Sequence, residues 1–260
     1  MNTDIQPLLQ AFPGITLSQM EKLSLQNRTD TKFMLPEGYL PLLLEKLSAD
    51  YDILDVDGMR INRYETYYLD TPSFRFYFDH HNGKLNRYKI RFRKYPDNDL
   101  CFLEIKEKNN KGRTLKTRIS VEKESDFVTG DAAFFLQEHT PLKAADLKYN
   151  VSIFFRRITL ISRQSQERLT FDTGMEFQKG PERFVPPPML IAELKQEKAG
   201  PSDFTRLMKR MHIRESSLSK YCYAMLCLFP ELKHNNFKPA LLQINRLTHA
   251  PSLFTSFSAG

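Results

Sequence analysis

The sequence predicts an α+β fold: a mostly antiparallel sheet curled into a barrel, with helices flanking it. Three observations predict this. Segments of period two dominate the middle of the chain, and Pro, Gly, Asn and Asp separate them, which suits hairpin connections. Helical spacing is confined to inserts among these segments and to the regions before and after them. The strand-like segments also place charge on one face only, and the same sign recurs from one to the next. A flat sheet of such faces would repel itself unless an anion filled the space in front of it.

Along the chain, residues 1–24 read as a lead-in with one helix around Ser18–Leu25. From Pro36, the run PEGYLPLLLEKLSAD sets Leu40, Leu43, Leu44 and Leu47 at helical spacing, with Pro36 suited to a first turn. Tyr64–Asp70, Lys84–Lys94, Leu100–Lys108 and Thr114–Lys123 are rich in aromatic and β-branched residues and read as strands. Ser125–Leu136 reads as a helix. Val151–Ser162, Arg168–Phe171 and Met189–Lys195 are further strands. Ser202–His212 is helical with Ser202 as N-cap, and Ser219–Phe229 is a last helix ended by Pro230. Residues 231–260 show only weak pattern and read as a loosely packed tail.

A chain of 260 residues, 41% hydrophobic and 27% charged, has the composition of a globular protein with a substantial core. Its formal net charge of +7 calls for an anionic partner. Cys101, Cys222 and Cys227 match neither a disulfide framework nor a zinc spacing and read as reduced thiols. The N-terminus lacks a basic segment before a long apolar core, and no apolar stretch approaches a membrane span. The expectation is a soluble, cytoplasmic protein with no membrane span.

The charged faces carry the functional signal. In NRYKIRFRKY, Lys89, Arg91 and Arg93 alternate with Ile90 and Phe92; in FLEIKEK, Glu104, Lys106 and Lys108 alternate with Leu103 and Ile105. Arg28, Asp30 and Lys32 share a parity, as do Lys116 and Arg118, Arg168 and Asp172, and Glu193 and Lys195. Any one pair alone is what a solvated sheet face carries. Together they are dominated by Arg and Lys, and a barrel with its polar faces inside collects them into one basic channel. Arginine forks and lysine point charges suit a polyanionic phosphate. Carboxylates among so many cations suit a divalent metal bridging phosphate oxygens, and Glu104 and Glu193 are the candidates.

These segments resemble the VTC domain, the polyphosphate polymerase domain of the triphosphate tunnel metalloenzymes, in its standalone bacterial form. The resemblance is carried by RTDTKF (28–33), YETYYLDTPSFRFY (64–77), RYKIRFRKY (87–95), FLEIKEK (102–108), LKTRISVEK (115–123), FRRITL (155–160), RLTFD (168–172), LIAELK (190–195) and LSKYCYAM (218–225), in the family's order. It implies a tunnel domain over residues 25–229, with 230–260 as a tail outside it. It also implies a CYTH-like antiparallel β-tunnel that grips ATP or another triphosphate together with polyphosphate.

The implied activity is transfer of ATP's terminal phosphate onto polyphosphate, with release of ADP and with Mn2+ or Mg2+ as cofactor. Carried over residue by residue, the catalytic set is Arg91, Arg93, Lys106, Arg157, Arg168 and Lys220. Lys32, Lys116, Arg118, Lys195 and Ser219 bind phosphate, and Glu193, with Glu104, binds the metal. Arg157 is preferred to Arg156 from its spacing after Phe155, while Lys89 and Lys108 sit nearer the rims as guides. The chain departs from the family at Ser217, where another basic residue is frequent, and it lacks the Glu-x-Glu-x-Lys signature of the cyclase and thiamine triphosphatase branch.

Two other functions compete on the same residues. One is hydrolysis of tripolyphosphate or a nucleoside triphosphate; the other is binding of polyphosphate or inositol phosphate without turnover. Nucleic acid is not an expected partner, because the charges alternate within strands instead of lining an open groove. His80-His81, before Asn82-Gly83, reads as an exposed hairpin tip, and Asp70 as a strand terminator. Tyr64, Tyr67, Tyr68, Phe74, Phe76, Tyr77 and Phe78 read as core in preference to a base-stacking platform.

Overall fold

The computed structural model describes residues 4–22, 29–111, 114–125, 128–198 and 200–248. In chain order its elements are α1 (Gln6–Gln10), β1 (Gly14–Ile15), α2 (Leu17–Lys22), β2 (Thr29–Pro36), α3 (Leu40–Leu47), β3 (Tyr51–Leu54), β4 (Asn62–Asp70), α4 (Arg75–His81), β5 (Arg87–Tyr95) and β6 (Leu100–Lys108). There follow β7 (Thr114–Val121), α5 (Gly130–His139), β8 (Lys148–Ser162), β9 (Glu167–Lys179), β10 (Glu182–Phe184), β11 (Met189–Gln196), α6 (Asp203–Arg210), α7 (Lys220–Leu228) and α8 (Lys238–Thr248). Residues 23–28, which hold the end of the helix expected around Ser18–Leu25 and Arg28, and residues 249–260 of the expected tail lie outside the described residues.

One sheet runs through the molecule in the order β2-β11-β9-β8-β4-β5-β6-β7, every neighbour in that path antiparallel. The barrel expectation needs one correction: among the described residues no backbone ladder joins the end strands β2 and β7. The sheet curls until side chains meet instead, and Lys116 Nζ on β7 lies 3.9 Å from Asp30 Oδ2 on β2.

Period two decides which face is outside. Ile90, Phe92, Cys101, Leu103 and Ile105 pack with Ala132 and Leu136 of α5. Phe33, Leu35, Leu169, Phe171, Leu190, Ala192 and Leu194 form a second cluster with the leucine face of α3 and with Phe204, Leu207 and Met208 of α6. On β2, β5, β6, β9 and β11 the apolar parity is therefore spent on flanking helices, and the charged parity faces the space inside the curl. A third cluster lies within that space. There α7 packs through Tyr221, Cys222 and Met225 against Tyr68, Ile153, Phe155, Ile191 and Met34 and fills part of the interior.

Several expectations change. Strand β9 extends to Lys179, well past Phe171, because Gly174 takes a φ of +56° near the register shift opposite Phe154 and Arg156 and lets the strand continue. The His80-His81 hairpin tip is instead the last turn of α4; His81 is buried and touches Asn236. Residues 231–248 are not loose: α8 buries Leu241 and Ile244, together with Phe237, in the same cluster as α7. Among the described residues, no helix is long and apolar enough to cross a membrane.

Candidate functional site

The site is the inward face of β2, β11, β9, β8, β4, β5, β6 and β7, completed by the N-terminus of α7. Registers bring the charged residues together. Arg91 is the cross-strand partner of Glu104, which is the partner of Arg118; Lys89 pairs with Lys106, and Lys106 with Lys116. On the opposite wall Glu193 pairs with Lys32, Lys195 with both Arg168 and Asp30, and Arg157 with Asp172. Arg157 rather than Arg156 takes the inward place, and Arg156 is exposed.

Four carboxylates organise these cations. Glu104 Oε2 accepts from Arg91 Nε at 2.8 Å and lies 2.7 Å from its Nη2, while Arg91 Nη1 donates to the Tyr68 hydroxyl at 3.0 Å. Burial alone would raise the Glu104 pKa, but Arg91 and Arg93 outweigh it and hold the carboxyl at about 2. Glu193 bridges two lysines, with Oε1 3.1 Å from Lys32 Nζ and Oε2 2.7 Å from Lys195 Nζ. Here too burial pushes up, and the two ammonium groups hold the carboxyl well below its usual range. Asp172 is fully buried; it accepts from Arg157 Nε at 2.5 Å and Nη2 at 2.8 Å, and from Lys220 at the first turn of α7. Asp30 faces Lys116 across the open seam.

Arg93, Lys106 and Lys89 are not paired with a carboxylate in this way. Arg93 is 5% exposed, its Nε has no hydrogen-bond partner, and no carboxylate lies within ion-pair distance among the described residues. Lys106 sits among Lys116, Lys89 and Lys32, and burial first, then these neighbours, pull its pKa down to about 7. Lys89 is the cross-strand partner of Lys106; its ammonium is pushed down chiefly by burial, and Cys222 of α7 is among its neighbours. His80 faces the same cluster, and burial with Lys89 and Arg87 lowers its pKa to about 3. Ser219 caps α7, its hydroxyl accepting from Cys222 N at 3.2 Å.

A proton-linkage prediction follows from Lys106. Near pH 8 the empty site leaves much of Lys106 neutral, and a bound polyanion favours the ammonium. Tripolyphosphate binding is therefore expected to take up protons at about pH 8, with affinity falling as pH rises through the Lys106 pKa, by at most about tenfold per unit for one linked proton. Calorimetry in buffers of different ionisation enthalpy measures the uptake, and Lys106→Met should remove the Lys106 share and leave that of Lys195, whose ammonium burial pulls down to about 8.

Among the described residues no three His, Cys, Asp or Glu side chains converge as a metal site. Glu193 offers one partly buried carboxylate facing the channel, with each oxygen shared with a lysine, and this fits a divalent ion carried mostly by phosphate oxygens and not a cage made by protein alone. Glu104 is committed to Arg91 through Oε2.

Sequence reasoning placed Asp172 on the inward face without giving it a task, and it missed Asp70 as a hub. Asp70 accepts from the backbone N–H groups of Thr71, Phe76 and Tyr77 and from the Tyr221 hydroxyl at 2.6 Å, fastening α4 and α7 to the end of β4. Asp172 with Lys220 and Asp70 with Tyr221 are paired across long sequence separations, and no local pattern marks such pairs.

A family model described as the VTC domain matches residues 27–229. No curated protein sequence matches the chain. Among solved structures it is similar to a candidate adenylate cyclase from Bacillus halodurans, at 13% identity and a TM-score of 0.49 over 75% of this chain and 94% of that one. It is also similar to a candidate adenylyl cyclase from Hippeastrum with a dominant triphosphatase activity, at 15% identity and a TM-score of 0.44 over 75% and 93% of the two chains. A third is the PH1819 protein from Pyrococcus horikoshii OT3, at 13% identity and a TM-score of 0.42 over 76% and 98%.

Proposed function

The chain belongs to the VTC domain family, and from that premise we propose that it transfers the terminal phosphoryl group of ATP onto polyphosphate. In this step the bond from the γ-phosphorus to the β,γ-bridging oxygen breaks. A terminal oxygen of the polyphosphate chain forms the new P–O bond, and ADP leaves with the bridging oxygen. The observation that carries this reading is the excess of inward cations over inward carboxylates, with Arg93, Lys89 and Lys106 outside ion-pair distance of any carboxylate among the described residues. A site that tolerates such repulsion when empty is built for a ligand of high negative charge density.

The tasks divide by position. Arg91, Arg93, Arg157 and Lys220 surround the transferred phosphoryl and offset its developing charge, and Lys106 and Arg168 complete this catalytic set. Lys32, Lys116, Arg118 and Lys195 line the path of the flanking phosphates. Ser219 keeps the N-terminus of α7 aimed at them through its cap, with the free N–H groups of the first turn facing the anion. Glu193, released from one of its lysines, would hold Mn2+ or Mg2+, with Glu104 keeping Arg91 in place beside it. When bound there, such an ion would supply positive charge to the triphosphate. The chain's own contribution is positioning and fixed charge.

Incubation of the purified protein with ATP and Mn2+, followed by phosphorus NMR, tests the reading. The expected products are ADP and internal polyphosphate resonances. Orthophosphate with ADP and no polymer would replace transfer by hydrolysis, and tight tripolyphosphate binding without ATP consumption would make the domain a binding module.

A further inference from the structure

The inward face also carries a run of aromatic rings that apolar packing alone does not explain, because cations sit over their faces. Phe155 on β8 stacks on Tyr64 of β4 with centroids 5.2 Å apart and planes 17° apart. Tyr64 meets Tyr95 of β5 at 5.1 Å, and Tyr95 meets Phe102 of β6 at 6.0 Å. Four neighbouring strands thus give one ring each.

Two guanidiniums share the first pair of rings. The Arg157 carbon Cζ lies 4.7 Å from the Tyr64 centroid and 5.3 Å from that of Phe155. The Arg93 Cζ lies 5.2 Å and 5.6 Å from the same two. Register explains the sharing: Thr66 pairs with Arg93 and Asn62 with Arg157, so Tyr64 stands diagonally between the two arginines. Arg157 has Asp172 as well, but Arg93 has no carboxylate within ion-pair distance among the described residues.

A buried cation needs some compensation, and a carboxylate beside Arg93 would cancel the charge and repel an incoming phosphate. A ring face attracts the guanidinium through its quadrupole without adding a net negative charge. We propose that Tyr64, with Phe155 beneath it, is a positioning residue: the ring pair holds the Arg93 and Arg157 guanidiniums side by side with Arg93 uncancelled, so that one phosphate chain meets both. The proposal rests on the phosphoryl-transfer reading above for its ligand, though not for its geometry. The tyrosine hydroxyl plays no part in it, so the ring alone should suffice.

The test compares Tyr64→Leu with Tyr64→Phe. Calorimetric binding of tripolyphosphate is expected to weaken about tenfold in Tyr64→Leu, as loss of a ring face shared by two cations implies, and to stay within about twofold in Tyr64→Phe. Equal binding by the two variants would overturn the proposal. A second readout does not need phosphate: denaturant unfolding of Tyr64→Leu, Arg93→Met and the double variant. A coupling of about fivefold or more in the unfolding constant supports the cradle, and none overturns it. A wild-type protein that bound no tripolyphosphate would remove the phosphate reading and leave the cradle to this cycle. Should Tyr64→Leu fail to fold, Phe155→Leu strips the other ring from the same guanidiniums and is read by both assays.

Discussion

Replacing Asp172 with alanine is expected to cost about 3 kcal/mol of stability, because it leaves two largely buried cations without their shared anion. The carboxylate is fully buried, and it takes two hydrogen bonds from Arg157 and one from Lys220. It thereby ties β8 and β9 to the first turn of α7. Asp172→Asn keeps the shape and one acceptor oxygen and should lose less. Denaturant unfolding measures both, and an alanine variant as stable as wild type would refute the bridge. Tripolyphosphate should raise the melting temperature of Asp172→Ala more than that of the wild type, since the anion replaces the missing charge.

The same residue gives a pH dependence with a definite sign. Burial would raise its pKa, but Arg157 and Lys220 outweigh burial and hold it at about 2. A carboxyl depressed on folding stabilises the native state above its unfolded pKa, near 4, and loses that contribution as pH falls towards 2. The loss is about 2 kcal/mol for a shift of this size. It should be absent from the acid unfolding of Asp172→Ala.

How far the sequence speaks for itself varies with the kind of contact. Strands β5 and β6 are legible because a short turn at Pro96–Asp99 joins two runs whose apolar parity lies on α5 and whose charged parity does not. Helix α3 is legible from four leucines at one spacing, all of them buried. Helix α4 is not: RFYFDHH has no clean period, and its fixing point is Asp70, which precedes it. Helix α8 buries only Leu241 and Ile244 while Leu242 stays exposed, so its pattern is too thin to read. Within the site, parity alone shows which charges share a face. Which cation a carboxylate claims, and which is left to a ring, depends on how far the sheet curls and where α7 enters, and neither is written in a strand's own residues.

Arg93→Met is expected to make the empty protein more stable and the phosphate site much weaker. Arg93 is buried, its Nε is unpartnered, and burial first, then the neighbouring Arg91, push its pKa down. An apolar side chain of similar length removes that desolvation cost, and even replacements of buried ion pairs by packed apolar residues are often neutral or gain about 1–4 kcal/mol. Loss of the Tyr64 and Phe155 contacts offsets part of the gain, which sets the expectation near the lower end. Tripolyphosphate affinity should fall more than about tenfold, the size of one lost charge-assisted contact. The order of stability should then reverse with ligand: at about 100 times its dissociation constant, tripolyphosphate adds roughly 2.7 kcal/mol to the wild type and far less to the variant. Unfolding curves with and without tripolyphosphate decide the matter. A variant less stable than wild type when empty, or one that binds the anion equally well, would show that Arg93 is a structural residue and not a charge kept in reserve for the substrate.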